Sequence, residues 1–335
     1  MRHLTSLVFA MVLAIVVAGA QTFPDTVDGH VAAAKAAAGS DYGGIVARIC
    51  TPPEPPAPRP TATPAAPRPA GAPARDTWYA KPVKVFDNLY FVGQSEYSAW
   101  AVTTSEGIII IDPIFDYSVE EEVVNGLKAL GFDPNTIKYV LISHAHSDHV
   151  GGASYLQDRF NAKVIMSEAD WTLLEGTRAS WRKPRKELVA TDGQKLTLGG
   201  TTLTLHITPG HTLGTISTLI PVLDGATRHV AAYWGGTAFN WVTNRAAYIT
   251  PERSDRFWFN NYIQSAQRFR TLAKNAGADV ILSNHTNFDG SKTKLPAMAT
   301  RRAGDAHPYV VGTDSVSRYL TVAEECAKAG LLRVK

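Results

Sequence analysis

Tyr139-Val140-Leu141-Ile142-Ser143-His144-Ala145-His146-Ser147-Asp148-His149 runs from four apolar residues into three imidazoles and a carboxylate within six positions. The apolar run reads as a buried strand, so the ligand-rich hexapeptide leaves the sheet at its end. Imidazole nitrogen and carboxylate oxygen both suit Zn²⁺, and neither closes a site as a four-thiolate cage does. Two more histidines follow apolar runs downstream, His211 in Pro209-Gly210-His211-Thr212 and His285 in Ser283-Asn284-His285-Thr286. Five of the ten histidines thus fall at three strand-to-loop junctions, the pattern of an open, catalytic metal centre.

Spacing divides the ligands. His144 and His146 are two apart and project to one side of an extended loop, whereas Asp148 and His149 come after a turn and face a neighbouring position. Each tetrahedral centre needs one more protein ligand if its last position is to stay open. His211 completes the set His144, His146 and His211, and His285 completes Asp148, His149 and His285. Two Zn²⁺ are the expected cofactors.

The elements around these ligands are readable. Residues 24–39 predict a short helix with Pro near its start and Gly at its end. Residues 51–75 hold ten prolines in 25 positions, the composition of an extended linker. From Trp78 onward, apolar runs at 82–86 and 89–93 flank an Asp87-Asn88 turn, and 97–104 and 107–111 flank Ser105-Glu106-Gly107. Ile108 to Ile111 is apolar without alternation, as in a strand covered on both faces.

Ser118 with Glu121 reads as a capping box ahead of a helix that Gly131 stops. Gly151-Gly152 permits close backbone approach before a helix at 152–160. Strands follow at 163–167, 194–198, 201–208, 215–222 and 228–234. A long helix is expected over 255–276 after Ser254, a strand over 279–282, and a final helix near 314–329. His206 alternates with Leu205 and Ile207 and is expected on a polar face. The basic, tryptophan-bearing stretch 171–190 reads either as a lid over an anionic substrate or as a solvated helix and loop.

His144-x-His146-x-Asp148-His149 resembles, without a gap, the signature of the metallo-β-lactamase fold superfamily. The resemblance extends to Gly151-Gly152, to Pro209-Gly210-His211-Thr212 and to His285, covering most of residues 80–290. It implies an α/β fold, the four-layer αβ/βα sandwich of two mixed sheets with helices outside, and a dizinc site at the sheet edge. Many members carry a metal-bridging aspartate near 230–237, where this chain has Tyr233-Trp234-Gly235-Gly236-Thr237. His149 is similar to the second-zinc ligand of class B β-lactamases of the third subclass. Ala238-Phe239-Asn240-Trp241 and Asn284-His285-Thr286-Asn287 depart from that subclass.

The resemblance implies a hydrolase that opens a cyclic amide by attack of zinc-bound hydroxide, with a β-lactam ring as the expected substrate and antibiotic resistance as the expected role. Asp148 is the expected catalytic residue beside its ligand role. Asp112 is read as a support for the motif loop, or as an ordinary turn aspartate. Trp234, Thr237, Asn240, Trp241 and Asn287 are candidate substrate contacts, with Tyr97 and Trp100 as further candidate walls. A lactonase or other ester or amide hydrolase, and a zinc-binding protein with little turnover, are the competing readings.

Composition sets the outer bounds. At 335 residues, 45% hydrophobic and 19% charged, the chain suits one large or two small domains. A net charge of +3 without a basic, aromatic-studded stripe gives no reason to expect a nucleic-acid partner. The expected partner is a small-molecule substrate, and no oligomeric state is assigned.

Residues 1–20 read as a signal peptide, with apolar Leu7 to Ala18 before Ala18-Gly19-Ala20, or as an uncleaved anchor. Export to the periplasm, with no membrane association after cleavage, is the expectation. Cys50 and Cys326 either pair in that oxidising compartment or are unrelated thiols. The expected organisation is a leader at 1–20, a short helical segment at 21–50, a Pro/Ala-rich linker at 51–77 and a hydrolase domain at 78–335.

Overall fold

Successive isoleucines of the run at 108–111 enter two different cores. Ile109 and Ile111 face an apolar layer shared with Leu203, Leu205 and Tyr233, while Ile108 and Ile110 face one shared with Val123, Leu127 and Leu156. The period-2 alternation of a strand buried on both faces produces this split. The computed structural model describes residues 22–51, 72–302 and 304–334. The expected leader at 1–20 and residues 52–71 of the expected linker lie outside them.

The first sheet has seven strands in sequence order: β1 (Val83–Phe86), β2 (Leu89–Phe91), β3 (Trp100–Thr104), β4 (Gly107–Ile111), β5 (Ile137–Leu141), β6 (Lys163–Ser167) and β7 (Leu188–Ala190). It is antiparallel up to β4 and parallel from β4 to β7. The second sheet has the order β12-β11-β10-β9-β8, from β8 (Lys195–Leu198), β9 (Thr201–Ile207), β10 (Ile216–Asp224), β11 (Thr227–Trp234) and β12 (Val280–Ser283). Only its β11–β12 pair is parallel.

Helices cover both outer faces. Against the first sheet lie α3 (Asn125–Ala129), α4 (Ser147–Val150), α5 (Ala153–Phe160) and α6 (Glu168–Gly176). Against the second lie α1 (Val27–Ala38), α2 (Gly43–Ile49), α7 (Asn240–Thr243), α8 (Arg245–Tyr248), α9 (Asp255–Asn275) and α11 (Thr313–Arg333). Helix α10 (Ser291–Thr300) follows the β12 loop. The order helix, sheet, sheet, helix is the expected αβ/βα sandwich.

Several expectations need correction. The segment at 21–50 does not stand apart: Ala34, Ala38, Ile45 and Ile49 share a core with Val316, Leu320 and Ala323 of α11, and Cys50 is bonded to Cys326. A boundary at residue 78 would cut that core. The Ser118 hydroxyl donates to the Phe115 carbonyl at 3.3 Å instead of capping, and Glu121 accepts from Arg75 at 2.7 and 2.9 Å. A π-helical turn at Glu120–Val124 precedes α3. His206 is buried, its ring 6.1 Å from that of Phe269, because α9 covers that face of β9. The lid reading of 171–190 also fails. Trp171 is in the core with its indole N–H on the Leu188 carbonyl at 3.0 Å, and Arg182 and Arg185 both hold Asp158.

Candidate metal centre

Parallel pairing brings the C-terminal ends of β4, β5 and β6 together, and the loop after β5 carries the hexapeptide. Backbone pairing continues past the strands: the Asp112 N–H donates to Leu141 at 3.0 Å, and the Ile216 N–H donates to the Ser143 carbonyl at 2.8 Å across the sheets. His211 arrives from the β9–β10 connection and His285 from the end of β12. Gly152 lets the turn after the motif close, since a Cβ there would meet the Pro113 carbonyl oxygen at 2.3 Å. Gly236 does the same beside His211, whose Cβ would lie 2.5 Å from an added one.

The six ligand candidates fall into two groups. His144 Nε2 and His146 Nδ1 each lie 3.1 Å from His211 Nε2. A tetrahedral zinc with bonds near 2.0–2.1 Å sets its ligand atoms roughly 3.3–3.4 Å apart, so this triad has the right span. The remaining ring nitrogens are all engaged: His144 Nδ1 with the Gly235 carbonyl at 2.9 Å, His211 Nδ1 with the Ala238 carbonyl at 2.7 Å, and His146 Nε2 with the Tyr248 hydroxyl at 2.7 Å. These partners fix each tautomer so that the inward nitrogen keeps its lone pair. Burial drives all three below the ordinary histidine range, His146 to about 4, so the rings are neutral as ligation requires.

Asp148 Oδ2 lies 3.2 Å from His149 Nε2 and 3.6 Å from His285 Nε2, which makes the second group. His149 is fully buried, and neither of its ring nitrogens has a hydrogen bond of good geometry. Burial favours its neutral form, yet the carboxylates of Asp148 and Asp112 push its pKa up. Burial also opposes ionisation of Asp148, and the His149 ring overrides it and holds the carboxyl below its usual range. Two carboxylates converging on one buried imidazole, with a second imidazole beside them, suit a divalent cation in place of a proton. The donor sets fit two zinc ions, one per group.

Two buried carboxylates brace the ligand loops. Asp112, in a left-handed conformation with φ 55°, accepts the Ser143 N–H, the Ser143 hydroxyl and the Tyr233 hydroxyl, each at 2.6 Å. Its Oδ2 is 3.2 Å from His149 Nδ1, so it acts as support for the motif loop. Asp170 escaped the sequence reading. It accepts the Ala145 N–H at 2.9 Å, the Thr212 hydroxyl at 2.9 Å and the Gly214 N–H at 3.0 Å, tying the hexapeptide loop to the His211 loop. Burial pushes its pKa up to about 6. Its only signal in sequence was an acidic residue just after a strand.

The pocket over the ligands holds about 250 Å³ and is lined by Asn240, Tyr248, Asn244 and Arg48 as well as His146, Asp148, His211 and His285. Of the candidate substrate contacts, only Asn240 lines it, its amide nitrogen 3.3 Å from His211 Nε2. Trp234 is a correction: Tyr233 faces the inter-sheet layer, so the next residue points outward into the α9 layer, where its indole N–H reaches Tyr262 at 3.3 Å. Trp241 is likewise core, stacked on Trp258 at 5.8 Å, and Trp100 packs on Phe91 at 5.4 Å. Thr237 is buried, its hydroxyl unpaired, and does not line the pocket. Asn287 is exposed and does not line the pocket, and its backbone carbonyl lies against Gly44. Tyr97 does stand by the site, its ring 5.0 Å from that of His285. Tyr248 and Arg48 were missed because neither lies near a motif.

Comparison with known proteins agrees with this geometry. Residues 92–224 match the family model of the metallo-β-lactamase superfamily. A hydroxyacylglutathione hydrolase of Acidiphilium cryptum is 28% identical over 153 residues, 46% of this chain and 54% of that protein. The N-acyl homoserine lactonase AttM of Rhizobium johnstonii is 28% identical over 183 residues, 50% of this chain and 65% of the lactonase. The chain therefore spans about half to two thirds of the length of these relatives. Among solved structures, BJP-1, a subclass B3 metallo-β-lactamase of Bradyrhizobium japonicum, superposes with a TM-score of 0.60 and 26% identity, covering 73% of this chain and 91% of BJP-1. FEZ-1 of Legionella gormanii shares the fold with a TM-score of 0.58 at 24% identity, over 72% of this chain and 91% of FEZ-1. With the two candidate ligand triads, the family model matched at 92–224 and these superpositions, the chain carries a metallo-β-lactamase superfamily domain and has the fold of these zinc-dependent hydrolases.

Proposed function

We propose that this protein is an exported dizinc hydrolase that opens the ring of a cyclic amide, a β-lactam being the substrate the site suits best. The observation that carries the reading is the composition of the second triad. It is made of Asp148, His149 and His285, and the loop after β11 offers Gly235-Gly236-Thr237 with no carboxylate or thiol. The similarity to BJP-1 over most of that enzyme supports the same ring.

Bound zinc supplies Lewis acidity, lowering the pKa of a water it holds and polarising a carbonyl. His144, His146 and His211 would hold one ion, and Asp148, His149 and His285 the other. Asp148, kept ionised, accepts the proton of the attacking water and returns it to the leaving nitrogen, so that water is added across the C–N bond. The Asn240 amide, on the pocket wall, donates a hydrogen bond to the carbonyl oxygen as charge builds there. Tyr248 accepts the His146 Nε2–H and keeps its own proton, since burial pushes its pKa up to about 12.

Export is supported by the leader-like residues 1–20 and by the Cys50–Cys326 bond, which persists in an oxidising compartment. No helix among the described residues is long and apolar enough to cross a membrane.

A second reading, opening of a lactone or thioester by the same groups, is favoured by the names of the relatives at 28% identity. The test follows a penicillin, a cephalosporin, a carbapenem and an acyl-homoserine lactone with protein loaded with two equivalents of zinc. Lactam turnover that chelator abolishes and zinc restores is the expected result. Lactone turnover with inert lactams moves the function to the second reading. No turnover of either ring by protein holding two zincs leaves a zinc-binding protein.

A further inference from the structure

Two donors meet on one carbonyl oxygen behind the metal pocket. His144 Nδ1 lies 2.9 Å from the Gly235 carbonyl oxygen, and the Asn284 side-chain amide donates to the same oxygen at 2.8 Å. Ser143 Oγ is also 3.0 Å from His144 Nδ1, but it gives its own proton to Asp112 at 2.6 Å. The His144 Nδ1 therefore carries a proton and donates it to Gly235. A carbonyl oxygen has two lone pairs. Here one is taken by a member of the three-histidine group, and the other by the residue preceding His285 of the second group.

The Gly235 peptide is itself held in place. Its N–H donates to Ser217 Oγ at 3.1 Å, and a Cβ at this position would collide with the Ile216 carbonyl oxygen. Asn284 is buried, and its own carbonyl accepts the Ser98 N–H at 3.0 Å. The loop around it is closed by Asp289 Oδ2, which accepts the Ser283 N–H at 2.8 Å, and by the Thr286 N–H on the Glu96 carbonyl at 3.2 Å. His285 pairs with Tyr97 in an isolated bridge. Of these contacts, only the Asn284 amide runs to the end of β11, where His144 finds its acceptor.

We propose that Asn284 is a positioning residue that couples the two candidate zinc sites, fixing His144 and His285 on a common acceptor, the Gly235 carbonyl. This rests on the dizinc reading above and names the residue that sets one site relative to the other. Asn284 does not line the metal pocket, so it acts through the ligands and not on the substrate. Partners that orient ligating imidazoles are worth about 10–100-fold in metal affinity. Loss of this amide is felt at both sites, although Asn284 adjoins a ligand of only one.

Wild type and Asn284→Ala, each with two equivalents of cadmium, are compared by cadmium NMR, and zinc affinities are measured against a competing chelator. Wild type is expected to give two resonances, one per triad. Asn284→Ala should move both and weaken both zinc affinities by about tenfold. A shift confined to one resonance makes Asn284 a brace for a single ligand and overturns the proposal, as do unchanged spectra. Fewer than two resonances from wild type fail the dizinc reading itself, and the proposal with it. Urea unfolding of the metal-free proteins checks that the variant folds. If it does not, Asn284→Ser, whose hydroxyl is too short to reach Gly235, takes its place. Failure of both variants to fold makes Asn284 a residue of the fold alone and overturns the coupling.

Discussion

The Tyr233 hydroxyl reaches across from the second sheet and donates to Asp112 Oδ2 of the first at 2.6 Å. The same carboxylate fixes the Ser143 backbone and side chain and faces His149 Nδ1, so one buried group joins both sheets to a candidate metal ligand. An amide in its place would turn a donor toward donors. Asp112→Asn is expected to weaken the zinc held by His149 by about 10–100-fold, and the zinc held by His144, His146 and His211 less. Metal content after equilibrium dialysis should fall toward one zinc per chain, and retention of two at wild-type affinity would refute this role.

Asp170 holds three donors from two loops that share no backbone pairing with its helix. Truncating it leaves buried N–H and O–H groups unpaired, each a desolvation penalty. Asp170→Ala should destabilise the protein by about 2–5 kcal/mol in urea unfolding and lower metal affinity at both sites. A stability within error of wild type would show that the clamp is dispensable.

Glu122 is buried in the π-helical turn, where its carboxylate accepts the Ala80 N–H at 2.9 Å. Burial pushes its pKa up to about 8 from the usual 4.5. Between those values the folded state binds more protons than the unfolded one, so this group's contribution to stability falls as pH rises through the window. Glutamine keeps the acceptor and cannot ionise. Glu122→Gln should therefore exceed wild type in stability at pH 9 by on the order of 1–3 kcal/mol, and lose that advantage near pH 4. Parallel stability curves for the two proteins across this range would contradict the assignment.

Cys50 and Cys326 are 276 residues apart in sequence, and their bond ties α2 to α11. Cross-linking so long a loop restricts the unfolded chain, and its removal is expected to cost about 2–5 kcal/mol. Denaturant unfolding of reduced and oxidised protein measures the difference. If the two curves coincide, packing of α1 and α2 on α11 is sufficient alone.

Much of this molecule is set by local sequence. The strand carrying the hexapeptide, the paired hairpins of the first sheet, the Ser254-capped helix α9 and the final helix α11 all follow from periodicity and end signals. The six ligand candidates and their division into two groups were legible for the same reason, since histidines at strand ends project into loops. Long-range placement was not legible. Whether Trp234 faces the pocket or the α9 layer depends on which face of β11 is turned inward, and Tyr233, one position earlier, took the inward one. His206 looked exposed because alternation reports two faces without saying that α9 covers the polar one.

Asp170, Tyr248 and Arg48 reach the site from positions 21 residues or more from the nearest hexapeptide residue, and no local pattern marks them. The sequence alone determined the ligand chemistry, because donor type and strand-end position are local properties. Tertiary structure decided which side chains brace, line and charge the pocket, because two sheets and two helix layers bring together residues the chain keeps far apart.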